Sequence, residues 1–304
     1  MLSLFGCYNT KIRERVTWHT YLDTYREKTK FNVEEWTNKK CNLLNDYLGK
    51  HQLSGAVISV SGGIDSATTL ALLKKTMEIP NSNLKKILAI SQPIHSSYSA
   101  LEKSKDLCSE FDIELIVIDQ SDIHRNLVSK FELYSDVIQN GDEFSKGQLR
   151  SYLRTPANYY GSHLLKQQGF PAIVIGTGNM DEDGYLAYFC KYGDGAVDVQ
   201  IISDLHKSQV FTVGKHLNVI ESILTSKPSA DLWDGQIDEE ELGFSYDFIE
   251  FYTGYYLKQS KSKQQKIIQS LTDESFLEFT LCANRCESIH NRNKHKLNGV
   301  ITLT

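Results

Sequence analysis

The run Ala56–Leu73, AVISVSGGIDSATTLALL, constrains this chain more than any other stretch of it. It reads as a buried strand, then the loop Ser61-Gly62-Gly63-Ile64-Asp65-Ser66, then a helix. A glycine pair between a β-branched run and a helix start brings backbone close to a ligand, because Gly62 and Gly63 can take conformations that a Cβ would block. The first amides of the helix face the loop with the positive end of the helix dipole behind them, which suits an anion. Ser61 and Ser66 add hydroxyl donors, and Asp65 sets a carboxylate where a Mg²⁺ bridging phosphates would sit. The ligand these features describe is a pyrophosphate, that of ATP.

The rest of the chain places that loop in an α/β fold. Val57–Val60, Ile87–Ile90, Leu115–Ile118 and Ala172–Ile175 are apolar runs of strand length, and helical segments alternate with them (Ser66–Thr76, Ser99–Phe111, Asp122–Val137, Gln148–Gln168). Such alternation predicts a Rossmann-like, doubly wound parallel sheet with right-handed crossovers. Ligand contacts then belong on loops at the carboxyl ends of the strands. The segments Pro93–Ser97 and Gly176–Asn179 follow the second and fourth strands and are rich in glycine or hydroxyl residues. A helix is expected from Asn32, which with Glu35 has capping-box character; Trp36, Leu43, Leu44, Tyr47 and Leu48 share a face, and Gly49 ends it. Residues 1–31 read as an N-terminal arm or surface helix, and 32–304 as one domain with a mostly helical part after residue 205.

Composition narrows the function classes. The net charge of −5 does not mark a nucleic-acid binder, and no apolar run is long enough to span a bilayer. The six cysteines form no C-x-x-C pair, so they read as small apolar packers rather than zinc ligands, Cys282 and Cys286 included. His95, His124, His206 and His216 read as surface or packing residues. With ATP as a substrate, a cytoplasmic setting is expected.

The loop resembles the PP-loop signature SGGxDS of the ATP pyrophosphatases; no Gly-Lys-Ser/Thr follows it, so it is not a Walker A loop. Downstream, GTGNMDED, KYGDGAVD and SDLHKSQV resemble GTGNxxED, KYGDGxxD and SDLxKxxV of NAD synthetase, in the same order. KPSADLWDGQIDEEELG at Lys227–Gly243 resembles that family's flexible loop, and His295-Lys296 its terminal pair. The resemblance runs from about Asn32 to the end of the chain.

That resemblance implies the adenine nucleotide α-hydrolase type of sheet and a reaction. A carboxylate is a poor acyl donor, and adenylation by ATP gives it a leaving group, splitting one hard step into two. The nicotinate carboxylate of deamido-NAD would be adenylated with loss of pyrophosphate, and ammonia would then displace AMP. Residue by residue, Ser61, Gly62, Gly63, Asp65 and Ser66 match the pyrophosphate loop, and Thr177, Lys207 and Ser229 match ATP-contacting positions. Asp65 and Lys207 match the catalytic positions, and Asp65 with Glu182 the acids that bind Mg²⁺. Arg154, Lys191, Asp198, His295 and Lys296 match positions that hold deamido-NAD.

Departures from the family pattern concentrate in one helix. Where the family reads SRLRMxxLY, this chain has Ser151-Tyr152-Leu153-Arg154-Thr155-Pro156-Ala157-Asn158-Tyr159, so Tyr152, Thr155 and Asn158 are substitutions. Pro156 also limits this helix unless it lies in the first turn. Counting back from the KYGDG lysine selects Asp183 for the metal and counting from Thr177 selects Glu182; Glu182 is preferred. Only about fifty residues precede the loop strand, too few for a glutaminase domain of about 250 residues, so ammonia is the expected nitrogen donor, with a separate glutaminase subunit as an alternative source. The resemblance implies a homodimer. Competing readings are another PP-loop adenylating ligase (a GMP-synthetase-like subunit) and a nucleotide-binding regulator without catalysis.

Overall fold

The computed structural model describes residues 15–229 and 237–303. Helices α1 (Trp18–Thr29) and α2 (Val33–Lys50) precede strand β1 (Gly55–Ser59), and the signature loop leads into α3 (Ile64–Met77). Then come β2 (Lys86–Ser91), α4 (Tyr98–Glu110), β3 (Leu115–Val117), α5 (Ser121–Glu132), the long α6 (Glu143–Gln167) and β4 (Ala172–Gly176). A π-helical turn, Met180–Leu186, is followed by β5 (Val199–Gln200), α7 (Lys207–His216) and the short α8 (Glu221–Leu224) and α9 (Asp238–Leu242). The chain closes with α10 (Tyr246–Ile249), a second π-helical turn at Glu250–Tyr256, α11 (Lys261–Ser270) and α12 (Asp273–Asn293).

All described strand pairs of the sheet are parallel, in the order β3-β2-β1-β4-β5. The order reverses between β1 and β4, and a crevice for ligand opens at such a switch point, outside the carboxyl ends of the strands. The signature loop leaves β1 and the GTGN segment leaves β4, so the two motifs flank that crevice. The four expected strands are present. The two-residue β5 is too short for any periodicity to announce it.

Three apolar clusters hold the molecule together. α2, α3 and α7 cover one face of the sheet through Leu48, Leu70, Leu73 and Val210, and α6 covers the other, where Leu165 meets Val57, Ile90 and Val174. The third cluster is helical and aromatic, built from α1, α10, the second π-helical turn, α11 and α12 around Trp18, Phe248, Phe251 and Phe279. α1 therefore carries a buried face, with Trp18 and Leu22 each 1% exposed, where composition alone left an arm or surface helix. Residues 1–14 lie outside the described residues.

Two local expectations are corrected. Asn32 does cap α2, its side chain accepting from the Glu35 amide, but the buried stripe is Thr37, Cys41, Leu44 and Leu48, while Leu43 and Tyr47 face solvent. The helix lies with Cys41 inward because it packs on α3, whose Leu72 carbonyl accepts from the Cys41 thiol. Pro156 sits in the middle of α6, not at its start. The ring removes the amide that would bond the Tyr152 carbonyl, and packing of α6 on β1 and β4 outweighs that loss. No helix among the described residues is long and apolar enough to cross a membrane.

Candidate active site at the switch point

The signature loop is shaped by one left-handed glycine and a ring of hydroxyls. Gly62 has φ +82°, and a Cβ there would lie 2.4 Å from the Ala100 carbonyl oxygen, so no other residue fits. Gly63 needs no such freedom: its φ is −89°, and it serves as the N-cap of α3. Ser66 Oγ donates to the Gly63 carbonyl (3.0 Å), lies 3.1 Å from Ser61 Oγ and accepts from the Ser61 amide (3.2 Å). This ring holds the loop closed around the first turn of α3. The leading amides of that turn have no carbonyl partner inside the helix, and they face the crevice.

The carboxylates and the lysine meet across that crevice. Lys207 Nζ donates to Asp65 Oδ2 at 2.7 Å and to Glu182 Oε1 at 2.6 Å, with the lysine 3% exposed. Three separate elements supply the groups: the start of α3, the π-helical turn after β4, and the start of α7. Asn179 ties them together. Its Nδ2 donates to Asp65 Oδ1 (2.9 Å), and its Oδ1 accepts from the amides of Asp181 and Glu182. On the far side the Tyr246 hydroxyl donates to Glu182 Oε1 (2.5 Å) and contacts Asp238 Oδ2 (3.1 Å).

Electrostatics follow from one cation among several acids. Burial pushes the Asp65 carboxyl up and the Lys207 ammonium opposes it. Burial acts the same way at Glu182, but Lys207 and the Tyr246 hydroxyl outweigh it and hold that carboxyl below its ordinary value. Desolvation works against the Lys207 ammonium, and the two carboxylates overcome it, so its pKa lies above the usual lysine range. Burial, reinforced by Glu182, pushes Asp238 up to about 6. Asp183 is raised well above its ordinary value by burial and by the neighbouring Asp194, Glu182 and Asp65.

Glu182 and Asp183 are set apart by geometry. Asp183 turns toward the loop after β4, where Gln200 Nε2 donates to it at 3.2 Å while Gln200 Oε1 accepts from the Gly178 amide. A Cβ at Gly178 would lie 1.7 Å from Asp183 Oδ2, so this acid occupies the space that the glycine leaves. Asp65 and Glu182 are two hard-oxygen donors converging on one positive point. That donor set fits Mg²⁺, which takes one or two carboxylates and fills its remaining positions with phosphate and water.

The residues expected to hold the acceptor each have a partner within the protein. Arg154 Nε donates to the Gln92 carbonyl (3.3 Å), Lys191 Nζ to the Gly299 carbonyl (2.8 Å), and Lys296 Nζ to the Phe189 carbonyl (2.8 Å). His295 is exposed, with Nδ1 2.9 Å from the Arg292 carbonyl oxygen. Asp198 accepts from the Val174 amide (2.8 Å) and from the Tyr159 hydroxyl, joining its loop to β4 and α6. The substituted turn of α6 packs on the KYGDG segment: Ser151 bonds Asp194, and Thr155 donates to the carbonyls of Tyr192 and Gly193. Asn158 joins Ser59 and Gln92 in a buried amide network. Thr177 directly follows β4 beside the crevice, and Ser229 is exposed; Ala230–Gln236 of the expected flexible loop lie outside the described residues.

Residues 36–299 match the NAD synthase family. The chain belongs to that family. An NH(3)-dependent NAD(+) synthetase of Methanosarcina mazei is 35% identical over 217 residues, covering 71% of this chain and 79% of that protein. The protein of the same name from Methanosarcina acetivorans is 31% identical, covering 87% of this chain and 96% of its own length. Among solved structures, that of NMN synthetase from Francisella tularensis superposes with a TM-score of 0.71 at 30% identity, covering 90% of this chain and 99% of that one. The NH3-dependent NAD synthetase from Campylobacter jejuni has a TM-score of 0.66 at 22% identity, covering 90% of this chain and 100% of that one, and shares the fold.

Three residues at this candidate site escaped the sequence reading. Asn179 had a signal, since an Asn directly before a run of acids is an N-cap pattern. Tyr246 had none, because it reaches Glu182 from 64 positions away. His206, read as surface or packing, is 1% exposed and bonds the buried Asp181.

Proposed function

We propose that this chain is an ammonia-dependent NAD synthetase, amidating deamido-NAD to NAD with ATP and releasing AMP and pyrophosphate. The observation that carries this reading is the convergence of Asp65, Glu182 and Lys207 where the signature loop and the GTGN segment flank the switch point. The loop amides and the hydroxyls of Ser61 and Ser66 would hold the β- and γ-phosphates. Asp65 and Glu182 would hold Mg²⁺, which when bound neutralises charge growing on the departing pyrophosphate. Lys207 would add a fixed positive charge on the same side of the α-phosphorus, where a preorganised cation lowers the barrier to expulsion. The nicotinate carboxylate attacks that phosphorus and the bond to pyrophosphate breaks. Ammonia then attacks the acyl carbon, loses a proton and expels AMP. Thr177 and Ser229 would contact ATP, and Arg154, Lys191, Asp198, His295 and Lys296 would hold the acceptor.

A homodimer accompanies this reading. Phe131, Leu133, Tyr134, Val137 and Ile138 at the end of α5 and beyond it are large and exposed, an apolar face that a second copy would cover. Light scattering that gives twice the chain mass supports it, and a fully active monomer sinks it. A cytoplasmic setting goes with this reading, in which ATP is the substrate. A separate glutaminase subunit could supply the ammonia.

A second reading concerns the acceptor alone. The Francisella tularensis structure with the TM-score of 0.71 is of an NMN synthetase, and Tyr152 stands where the NAD synthetase pattern has an arginine. This favours a comparison of deamido-NAD with nicotinate mononucleotide, each with MgATP and ammonium, beside glutamine and a control without ATP. Amide product from deamido-NAD with equal AMP and pyrophosphate supports the first reading. Product from the mononucleotide alone transfers the reading to that acceptor, and product from neither overturns both.

A further inference from the structure

Lys207 is gripped at both ends by consecutive residues of one π-helical turn. Glu182 accepts from its ammonium at 2.6 Å, and the preceding Asp181 accepts from its backbone amide at 2.7 Å. The other oxygen of Asp181 lies 2.7 Å from His206 Nδ1, so one carboxylate bonds two successive residues at the start of α7. A third bond closes this turn, from the His206 amide to Gln209 Oε1 at 3.0 Å. Asp181 and His206 are 0% and 1% exposed. A carboxylate taken out of water is costly unless it is paired and hydrogen-bonded, and here both of its oxygens are paired at the root of the lysine.

The far edge of the imidazole is equally confined. The Tyr25 hydroxyl of α1 lies 3.4 Å from its other nitrogen, Nε2. Gly254 abuts the same nitrogen, and a Cβ there would come within 2.8 Å. α1 is tied to this region again through Arg26, which bonds Glu250, and Glu250 in turn accepts from Ser208 Oγ at 2.7 Å. The chain of contacts thus runs from α1 through His206 and Asp181 to the backbone of Lys207.

We propose that Asp181 and His206 are positioning residues for Lys207, fixing the first turn of α7 so that its ammonium points at Asp65 and Glu182, with Tyr25 of α1 backing the imidazole. The proposal rests on the reading of Lys207 as the lysine that acts on ATP. It gives α1 a part in the reaction, through contacts that begin some 180 residues from the lysine in sequence (Tyr25 to His206 spans 181 positions).

The test is steady-state kinetics of the full chain with ATP and acceptor varied separately, for His206→Ala, His206→Asn, His206→Gln, Asp181→Asn and Lys207→Ala. Loss of the outer partner of a metal ligand costs about 10–100-fold in activity, and kcat of His206→Ala and Asp181→Asn should fall by a factor of that order while KM for the acceptor stays unchanged. His206→Asn places a donor near the Nδ1 position and should recover most of the loss; His206→Gln places it near Nε2 and should not. If His206→Ala does not fold, as judged by its melting curve, the Asn and Gln pair decides, and equal activity in the two overturns the proposal. A His206→Ala enzyme with the parent rate beside an inactive Lys207→Ala overturns it and leaves the role of Lys207 standing. A Lys207→Ala enzyme of near-normal rate overturns the reading beneath it.

Discussion

The two ends of the crevice are built on different plans. At the proposed ATP end, charged side chains point at one another: two carboxylates converge on one lysine, and Asn179 and Tyr246 hold the carboxylates from either side. At the proposed acceptor end, Arg154, Lys191 and Lys296 each point at main-chain carbonyls, and His295 is exposed. A side chain whose position is set by several buried partners is preorganised, and preorganisation is what lets a fixed charge act on a transition state without reorganising. A cation resting on main-chain carbonyls can exchange such a bond for one to a ligand at small net cost, because both bonds are of similar strength. The first plan suits chemistry on a phosphorus, and the second suits binding.

This contrast is sharpest at Lys207. Replacing it with alanine should lower kcat by about 10²–10³, with KM for the acceptor little changed; a loss below tenfold would erase the distinction between the two ends. Next come the two neighbouring acids. Glu182→Gln should raise the Mg²⁺ concentration for half-maximal rate by about tenfold or more, and Asp183→Asn should leave it in place, because only Glu182 reaches the lysine. A reversal of the two would move the metal toward the loop after β4.

A smaller effect is expected at the acceptor end. Lys296→Ala should raise KM for the acceptor about tenfold, the value of one charge-assisted hydrogen bond, with kcat within about a factor of two or three of the parent. A fall in kcat equal to the rise in KM would mean that this end, too, acts in the transition state.

The smallest effect lies away from the crevice, in the helical cluster. Glu287 accepts from the hydroxyls of Tyr252 (2.7 Å) and Tyr185 (2.8 Å), which hold its carboxyl below the ordinary value of 4.5. A depressed folded value means that Glu287 stabilises the fold above about pH 4.5 and that this contribution is lost as pH falls through the lower folded value. Thermal melts of Glu287→Gln should therefore approach those of the parent on the acid side and fall below them above pH 4.5. Parallel melting profiles would show that the tyrosines contribute nothing to its ionisation.

How much was legible in the sequence depended on distance along the chain. The signature loop announced itself because strand, glycine, hydroxyls and helix start are contiguous, and Gly62 is left-handed as a glycine before a helix allows. The strands were legible from four apolar runs, and β5 was not, because two residues carry no period. Pro156 argued for a helix boundary that packing overrode. The face of α2 was misjudged by one position of its stripe, because the helix turned Cys41 rather than Leu43 toward α3.

The sequence by itself determined the alternation of strands and helices, the loop that suits a pyrophosphate, and the acids and lysine that would serve it. The alternation and the loop follow from local periodicity and from glycine's missing Cβ; the acids and the lysine were implied by the resemblance to NAD synthetase. Only the tertiary structure decided that Glu182 rather than Asp183 faces Lys207, that Tyr246 backs Glu182, and that α1 reaches the lysine through His206 and Asp181. Burial is the reason. A carboxylate removed from water must find partners wherever the fold brings them, and the partners of Asp181 and Glu182 come from helices that the chain reaches only 25 to 64 residues later.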